Sequence, residues 1–178
     1  CGGDCNASLP LRPPAGEKSF GSALLVADVD GDGQLELLVG APEAEKIFVY
    51  KFNGNFTVAP APTVLAAPAG ARSFGSALAF GKLLGGSDHQ LAVGSPGSEV
   101  AGVSAAGRVF LFGKDLKPIG EGASLATPQT GDLLGRHLAV LPFRKGTAVI
   151  DLLAGSGKNA LYVFYAQLAP GHKDVRVR

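Results

Sequence analysis

The chain has 178 residues, 46% of them apolar, and a formal net charge of +1; it is long enough for one domain or one set of repeats with a true core, and too apolar to be disordered. No basic stripe with interleaved aromatics runs through it, which sets nucleic acid aside as a partner, and no apolar run approaches the roughly 18 residues of a membrane span. The 26 Gly and 12 Pro residues favour many short strands joined by turns over long helices.

The sequence starts CGGDC and contains no Met, and three readings of that start stand side by side. Cys1 can be a lipidated first residue, Cys1 and Cys5 can form a local disulfide in a secreted protein, or two incidental thiols can begin a trimmed segment. The first is preferred because Cys holds position 1, and it resembles mature bacterial lipoproteins, in which a leading Cys and small polar residues tether a domain to a membrane. Gly2, where Asp would mark inner-membrane retention, points by that resemblance to the bacterial outer membrane or cell surface, with secretion as the alternative. Residues 1–8 are read as the tether and 9–178 as the folded part. Asn6-Ala7-Ser8 and Asn55-Phe56-Thr57 fit the glycosylation sequon.

From Ser19 onward the chain repeats itself. SFGSALLVADVDGDGQLELLVGAP begins at Ser19 and SFGSALAFGKLLGGSDHQLAVGSP at Ser73. That offset carries Phe20 onto Phe74, Gly21 onto Gly75, Gly40 onto Gly94 and Pro42 onto Pro96. LLGRHLAVLPFRKGTAVIDLLAGSG is a fainter third copy, with Gly135 and Gly155 in the two glycine places. Each unit, about 19–60, 73–122 and 133–168, reads as strand, loop, strand, turn, strand and a looser outer strand. Val, Ile, Phe and Tyr fill the runs, and Gly, Pro, Asn and Asp fill the breaks. ELLVGAP and HQLAVGSP are near-continuous apolar runs, as expected of strands covered on both faces. No α-helix is expected, and ASLATPQTGDLL allows at most one short turn.

The loop of the first unit, DVDGDGQLE, carries candidate chemistry. Asp28, Asp30 and Asp32 occupy positions 1, 3 and 5, Gln34 at position 7 offers a backbone carbonyl, and Glu36 takes position 9. Alternate spacing turns successive oxygens inward, and Gly31 and Gly33 allow the bend. Ca²⁺ wants six to eight oxygens, and this set with water can supply them. An EF-hand is excluded because Val39 stands at position 12 and LELLVG reads as strand where a helix should follow. The bland alternative is a solvated turn, against which stands the mutual repulsion of three alternating Asp without a cation. The equivalent windows KLLGGSDHQ (82–90) and FRKGTAVID (143–151) have lost most ligands, and Asp88 or Asp151 alone cannot hold Ca²⁺. One structural ion in the first unit is expected.

Phe-Gly at the start, Gly-Ala-Pro at the end and an Asp-rich loop between resemble the FG-GAP repeat of integrin α-chain β-propellers and of bacterial proteins with FG-GAP (VCBS-like) repeats. The resemblance covers roughly residues 9–168. It implies an all-β fold of four-stranded propeller blades, and its calcium loop falls on the same Asp28, Asp30, Asp32, Gln34 and Glu36, with Glu36 where Asp is commoner. Three units are fewer than the about four to eight blades of a propeller, so further blades or a second chain are expected to complete it.

No catalytic constellation is visible. His89, His137 and His172 lack ligand partners at i+4; GVSAA lacks the last Gly of a nucleophile elbow; AGSGKNA lacks the leading Gly of a phosphate loop and reads as the turn of the third repeat. Glu43 and Glu45 read as solvated charges, and KDVRVR as an edge strand. The expected function is a non-catalytic, calcium-stabilised interaction or scaffold module on an extracytoplasmic surface, tethered through Cys1. The alternative is an accessory propeller domain of a surface or secreted hydrolase. A protein partner or homo-oligomer is expected, because the apolar faces of the first and last units would otherwise stay uncovered.

Overall fold

The computed structural model describes residues 11–13, 16–52, 58–59, 61–84, 87–119, 124–126, 130–141, 151–158, 160–166 and 175–177. Cys1, Cys5, Asn6, Asn55, His172 and the loop 143–150 lie outside the described residues.

Every strand run becomes part of one of three antiparallel four-stranded sheets. The first holds β1 (Ala23–Ala27), β2 (Glu36–Ala41), β3 (Lys46–Lys51) and β4 (Thr63–Ala66). The second holds β5 (Ala77–Gly81), β6 (Gln90–Ser95), β7 (Arg108–Phe112) and β8 (Ser124–Ala126). The third holds β9 (His137–Leu141), β10 (Asp151–Gly155), β11 (Leu161–Ala166) and β12 (Val175–Val177). Within each sheet the strands pair in chain order. No α-helix occurs among the described residues; a three-residue 3-10 turn, Lys114–Leu116, follows β7. In each sheet the outer strand falls just past the repeat boundary read from the sequence. Those strands have only three or four residues and carry little pattern. β12 is the edge strand expected from KDVRVR, pairing with β11 through Phe164↔Val177 to Ala166↔Val175.

The second strand of a unit has neighbours on both sides of its sheet and on both faces, which is why its sequence is a continuous apolar run. β6 is buried at all six positions and β2 at five of six. Between the first and second sheets lie Leu38, Ile47 and Val49 against Leu91, Val93 and Phe110. Between the second and third lie Ala92, Val109 and Leu111 against Leu152, Ala154 and Phe164. The sheets thus stack in sequence order, as blades of a propeller do, and among the described residues they form an open succession without ring closure.

The repeated glycines explain the stacking. In each unit the glycine of the opening turn donates its amide to the carbonyl of the second-strand glycine: Gly21 to Gly40 (3.0 Å), Gly75 to Gly94 (3.1 Å) and Gly135 to Gly155 (3.3 Å). The turn glycines have φ of +94°, +89° and +88°, a region that strains any residue with a Cβ. The second-strand glycines then let the next blade approach. A Cβ on Gly40 would stand 2.1 Å from the Gly75 carbonyl oxygen, and one on Gly94 would stand 1.9 Å from that of Gly135.

Glu45 departs from the reading of a solvated charge. Its carboxylate accepts hydrogen bonds from the backbone amides of Ser73 and Phe74, each at 2.7 Å. It thereby ties the β2–β3 turn of the first blade to the opening turn of the second. Its neighbour Glu43 accepts from the Ser19 hydroxyl.

Candidate metal centre

The acidic loop joins β1 to β2, so its two ends are fixed by a strand pair whose last register couple is Ala27↔Glu36. Between these anchors the backbone doubles back. Gly31 and Gly33 take φ of +72° and +85°, which glycine adopts without steric cost. The aspartates fold the loop around themselves. Asp28 accepts from the amides of Gly31 (2.7 Å) and Gly33 (3.0 Å), Asp30 from that of Asp32 (3.2 Å), and Asp32 from that of Gln34 (2.8 Å).

One carboxylate oxygen from each of Asp28, Asp30 and Glu36 lies within 4.8 Å of the other two. Oxygens bound to one Ca²⁺ at about 2.3–2.6 Å can be that far apart, so this trio fits a single coordination sphere. Asp32 is held differently, sharing with Asp30 the ammonium of Lys51, which lies 2.7 Å from each. Hydrogen bonding from Lys51 holds the Asp32 carboxyl below the ordinary carboxylate range, and the two aspartates in turn raise Lys51.

Glu36 is the buried member, with 1% of its surface exposed. Its Oε2 accepts from the Val29 amide at 3.0 Å. Its Oε1 is buried and has no hydrogen-bond partner, the nearest cation being the Lys51 ammonium at 3.9 Å. Burial, and then the charge of Asp30 among the smaller causes, raise the Glu36 carboxyl above its ordinary value, against the opposing bond from Val29. A buried acceptor left unsatisfied costs roughly 1–3 kcal/mol, and more when charged.

The second blade contains the same loop without this feature. Gln90 holds the place of Glu36. Its Oε1 accepts from the amides of Leu83 (2.7 Å) and Leu84 (3.0 Å), and its Nε2 donates to the Asp88 carbonyl at 2.9 Å. The Val29 and Leu83 amides are equivalent under the repeat, so a neutral amide organises one loop and a carboxylate the other. Lys82 and Leu84 stand where Asp28 and Asp30 stand in the first blade. In the third blade only Asp151 of the window is described, as the first residue of β10.

Lys51 was not singled out from the sequence. The signal lies in strand register: β2 and β3 pair Glu36 with Lys51, so the lysine closing KIFVYK stands opposite the last acidic residue of the loop. The residues weighed and set aside for catalysis have ordinary places. His89 stacks on Phe80 with ring centroids 5.2 Å apart. The Ser156 hydroxyl accepts from the amides of Lys158 and Ala160 in the turn after β10, where the sequence suggested a glycine-rich turn over a phosphate loop.

No curated protein matches the chain. Residues 20–55, which run from the opening turn through β1, the acidic loop, β2 and β3, match the family model of the FG-GAP repeat. With Phe20-Gly21 opening that unit and Gly40-Ala41-Pro42 closing its second strand, the chain carries an FG-GAP repeat, set in an all-β succession of four-stranded blades.

Proposed function

We propose that the chain is a non-catalytic interaction or scaffold module whose first blade is stabilised by one Ca²⁺, held by Asp28, Asp30, Asp32, Glu36 and the backbone carbonyl of Gln34. The coarse part, a β-propeller-like interaction module, is what the FG-GAP repeat suggests. The observation that carries the metal is the orphaned, buried Oε1 of Glu36 beside two aspartate oxygens, set against the satisfied amide of Gln90. In the second blade the carbonyl of Asp88 receives the Gln90 amide; under the repeat its equivalent is the carbonyl of Gln34, which would face Glu36 as acceptor against acceptor. A hard cation between them resolves that conflict. Asp32 joins the sphere when Lys51 swings out to solvent, which its half-exposed side chain permits. The ion has a structural role, pinning a loop between two strands of a packed blade.

A second reading has an observation of its own: Lys51 already bridges Asp30 and Asp32, so a lysine-neutralised loop without metal is the competitor. Thermal unfolding in EGTA and in millimolar Ca²⁺ separates the two. The calcium reading expects a rise in Tm on adding Ca²⁺, by linkage, and a smaller one with Mg²⁺, which dehydrates reluctantly. Equal melting in EGTA and Ca²⁺ would leave the lysine reading.

A further inference from the structure

The carboxylate oxygens of the acidic loop fall into two sets, those that hold its backbone and those left over. Asp30 and Asp32 each accept a backbone amide on Oδ1, from Asp32 and Gln34 respectively, and Glu36 accepts the Val29 amide on Oε2. The remaining oxygens, Asp30 Oδ2, Asp32 Oδ2 and Glu36 Oε1, turn to one point, and the Lys51 ammonium stands there. Its Nζ lies 2.7 Å from each of the first two and 3.9 Å from the third. The two short contacts are charge-assisted hydrogen bonds. The third is too long to be one, so Oε1, on a side chain 1% exposed, stays without a partner.

Lys51 reaches this point from the end of β3, opposite Glu36. In the second blade the lysine and the acidic residues have gone together. The β6–β7 register, Val93↔Phe110 and Gly94↔Val109, matches Val39↔Phe48 and Gly40↔Ile47 of the first blade. Counting on along the strand, Gly113 holds the place of Lys51, as Gln90 holds that of Glu36. Where neutral bonds close the loop, the position opposite carries no charge. A second lysine, Lys114 of the second blade, also comes close to the acidic loop. Its Cε and Nζ lie 3.3 and 3.5 Å from where a Cβ on Gly31 would stand. Among the described residues, however, the ion pairs of the loop all run to Lys51.

We propose that Lys51 is a tethered competitor for the calcium position: its ammonium holds the loop together in metal-free protein and leaves when the ion enters, so that it sets the affinity of the site. This inference rests on the calcium reading and adds the regulation of that site. The ammonium bonds two of the three leftover oxygens. Ca²⁺, which takes six to eight oxygens at about 2.3–2.6 Å, can serve all three. The ion therefore wins the exchange when Ca²⁺ is plentiful, and the lysine wins when it is scarce. Because Lys51 belongs to the same chain, it competes at a fixed effective concentration. Only molecules with Lys51 swung out bind the ion, so if about a tenth of them are in that state, binding is about tenfold weaker than the bare loop would give. The Lys51 side chain is 52% exposed, which leaves its way to solvent open. The site thus answers to the Ca²⁺ level instead of holding its ion permanently.

Lys51→Met is the discriminating variant, with Lys51→Arg and Lys114→Met as controls, each in the full chain. Calorimetric titration of Ca²⁺ should show Lys51→Met binding roughly tenfold more tightly than the unmutated protein. Lys51→Arg keeps the competing charge and should not tighten binding, and Lys114→Met, which removes a charge that makes no bridge, should change it much less. Melting supplies a second readout. Lys51→Met should lower Tm in EGTA, where the ammonium is needed, and not in saturating Ca²⁺, where it has already left. A purely structural lysine would lower both. If Lys51→Met folds only with Ca²⁺ present, that too supports the exchange. Calcium binding in the unmutated protein that Lys51→Met leaves equal or weakens would overturn the inference while the calcium reading stands, and so would equal tightening in Lys51→Arg or Lys114→Met. Binding in Lys51→Met but not in the unmutated protein would support the competitor and sink the reading of a resident ion. No binding in either would overturn both.

Discussion

Gly94→Ala is expected to be among the most damaging single substitutions in the described fold. The new Cβ would lie 1.9 Å from the Gly135 carbonyl oxygen and 2.9 Å from its carbon. Both are backbone atoms of a turn that also donates to the Gly155 carbonyl, so no side chain can swing aside. The second and third blades must separate, and their shared core of Ala92, Val109, Leu111, Leu152 and Phe164 opens with them. Overpacking usually costs about 1–3 kcal/mol and occasionally more; a backbone clash belongs at or above the top of that range. Against the roughly 5–15 kcal/mol that holds a domain together, that is a large share. For a chain of this size about 3 kcal/mol lowers Tm by roughly 6–12 °C. Gly155→Ala is the internal control, because it makes the same chemical change at the equivalent position, where the nearest atoms are those of His137 in the same blade. Thermal unfolding followed by far-UV circular dichroism checks the pair. Equal losses for both variants would mean that glycine is needed for strand geometry and not for the approach of the next blade.

Glu36→Gln is expected to act in opposite directions with and without Ca²⁺. In metal-free protein the substitution removes a buried charge and gives the loop the amide that Gln90 already uses in the second blade, so Tm should rise. With Ca²⁺ present the variant lacks a ligand, and the gain from the ion should largely vanish. That gain in the unmutated chain is about 2.7 kcal/mol at a hundredfold excess over Kd, or roughly 5–11 °C. The pH dependence follows from the raised carboxyl of Glu36. Folded, metal-free protein holds this proton more tightly than the unfolded chain, so its contribution to stability is lost as pH rises from the ordinary value of 4.5 through the raised one. On the proposed reading Ca²⁺ would bind the ionised carboxylate, so its stabilisation would grow across the same window. The Ca²⁺-induced rise in Tm should therefore be small at the acid end and full above the raised pKa. A rise that is flat with pH would mean that Glu36 is not a ligand.

The parts of the fold that local pattern controls were legible from residues alone. ELLVGAP and HQLAVGSP read as inner strands covered on both faces, and Phe-Gly turns recurring at one offset implied repeated blades. Lys51, Glu45 and the bounds of the outer strands were hidden because they depend on partners distant in sequence. Lys51 reaches the acidic loop only through the β2–β3 register, which pairs it with Glu36. Glu45 sits in a surface turn beside Glu43, and nothing local says that its carboxylate crosses to the amides of Ser73 and Phe74. The outer strands, three or four residues long, are held by pairing to β3, β7 and β11 more than by a hydrophobic pattern of their own. For the candidate site, the sequence supplied the five residues by spacing, and the structure brought Asp28, Asp30 and Glu36 together. It also placed Lys51, not a fourth oxygen, between Asp30 and Asp32. Spacing alone could not distinguish the buried carboxylate from the exposed ones, because burial of Glu36 comes from the packing of the blade.

Calorimetric titration of Ca²⁺ into metal-stripped protein is the most direct measurement of the central claim, that the first blade is built around one cation. The account predicts saturable binding of one ion per chain, lost in Asp30→Ala and strongly weakened in Glu36→Gln. Substituting Asp88 in the second blade should leave that binding intact. No heat at millimolar Ca²⁺, with Lys51 still bridging Asp30 and Asp32, would contradict it and leave the acidic loop as a turn neutralised by lysine.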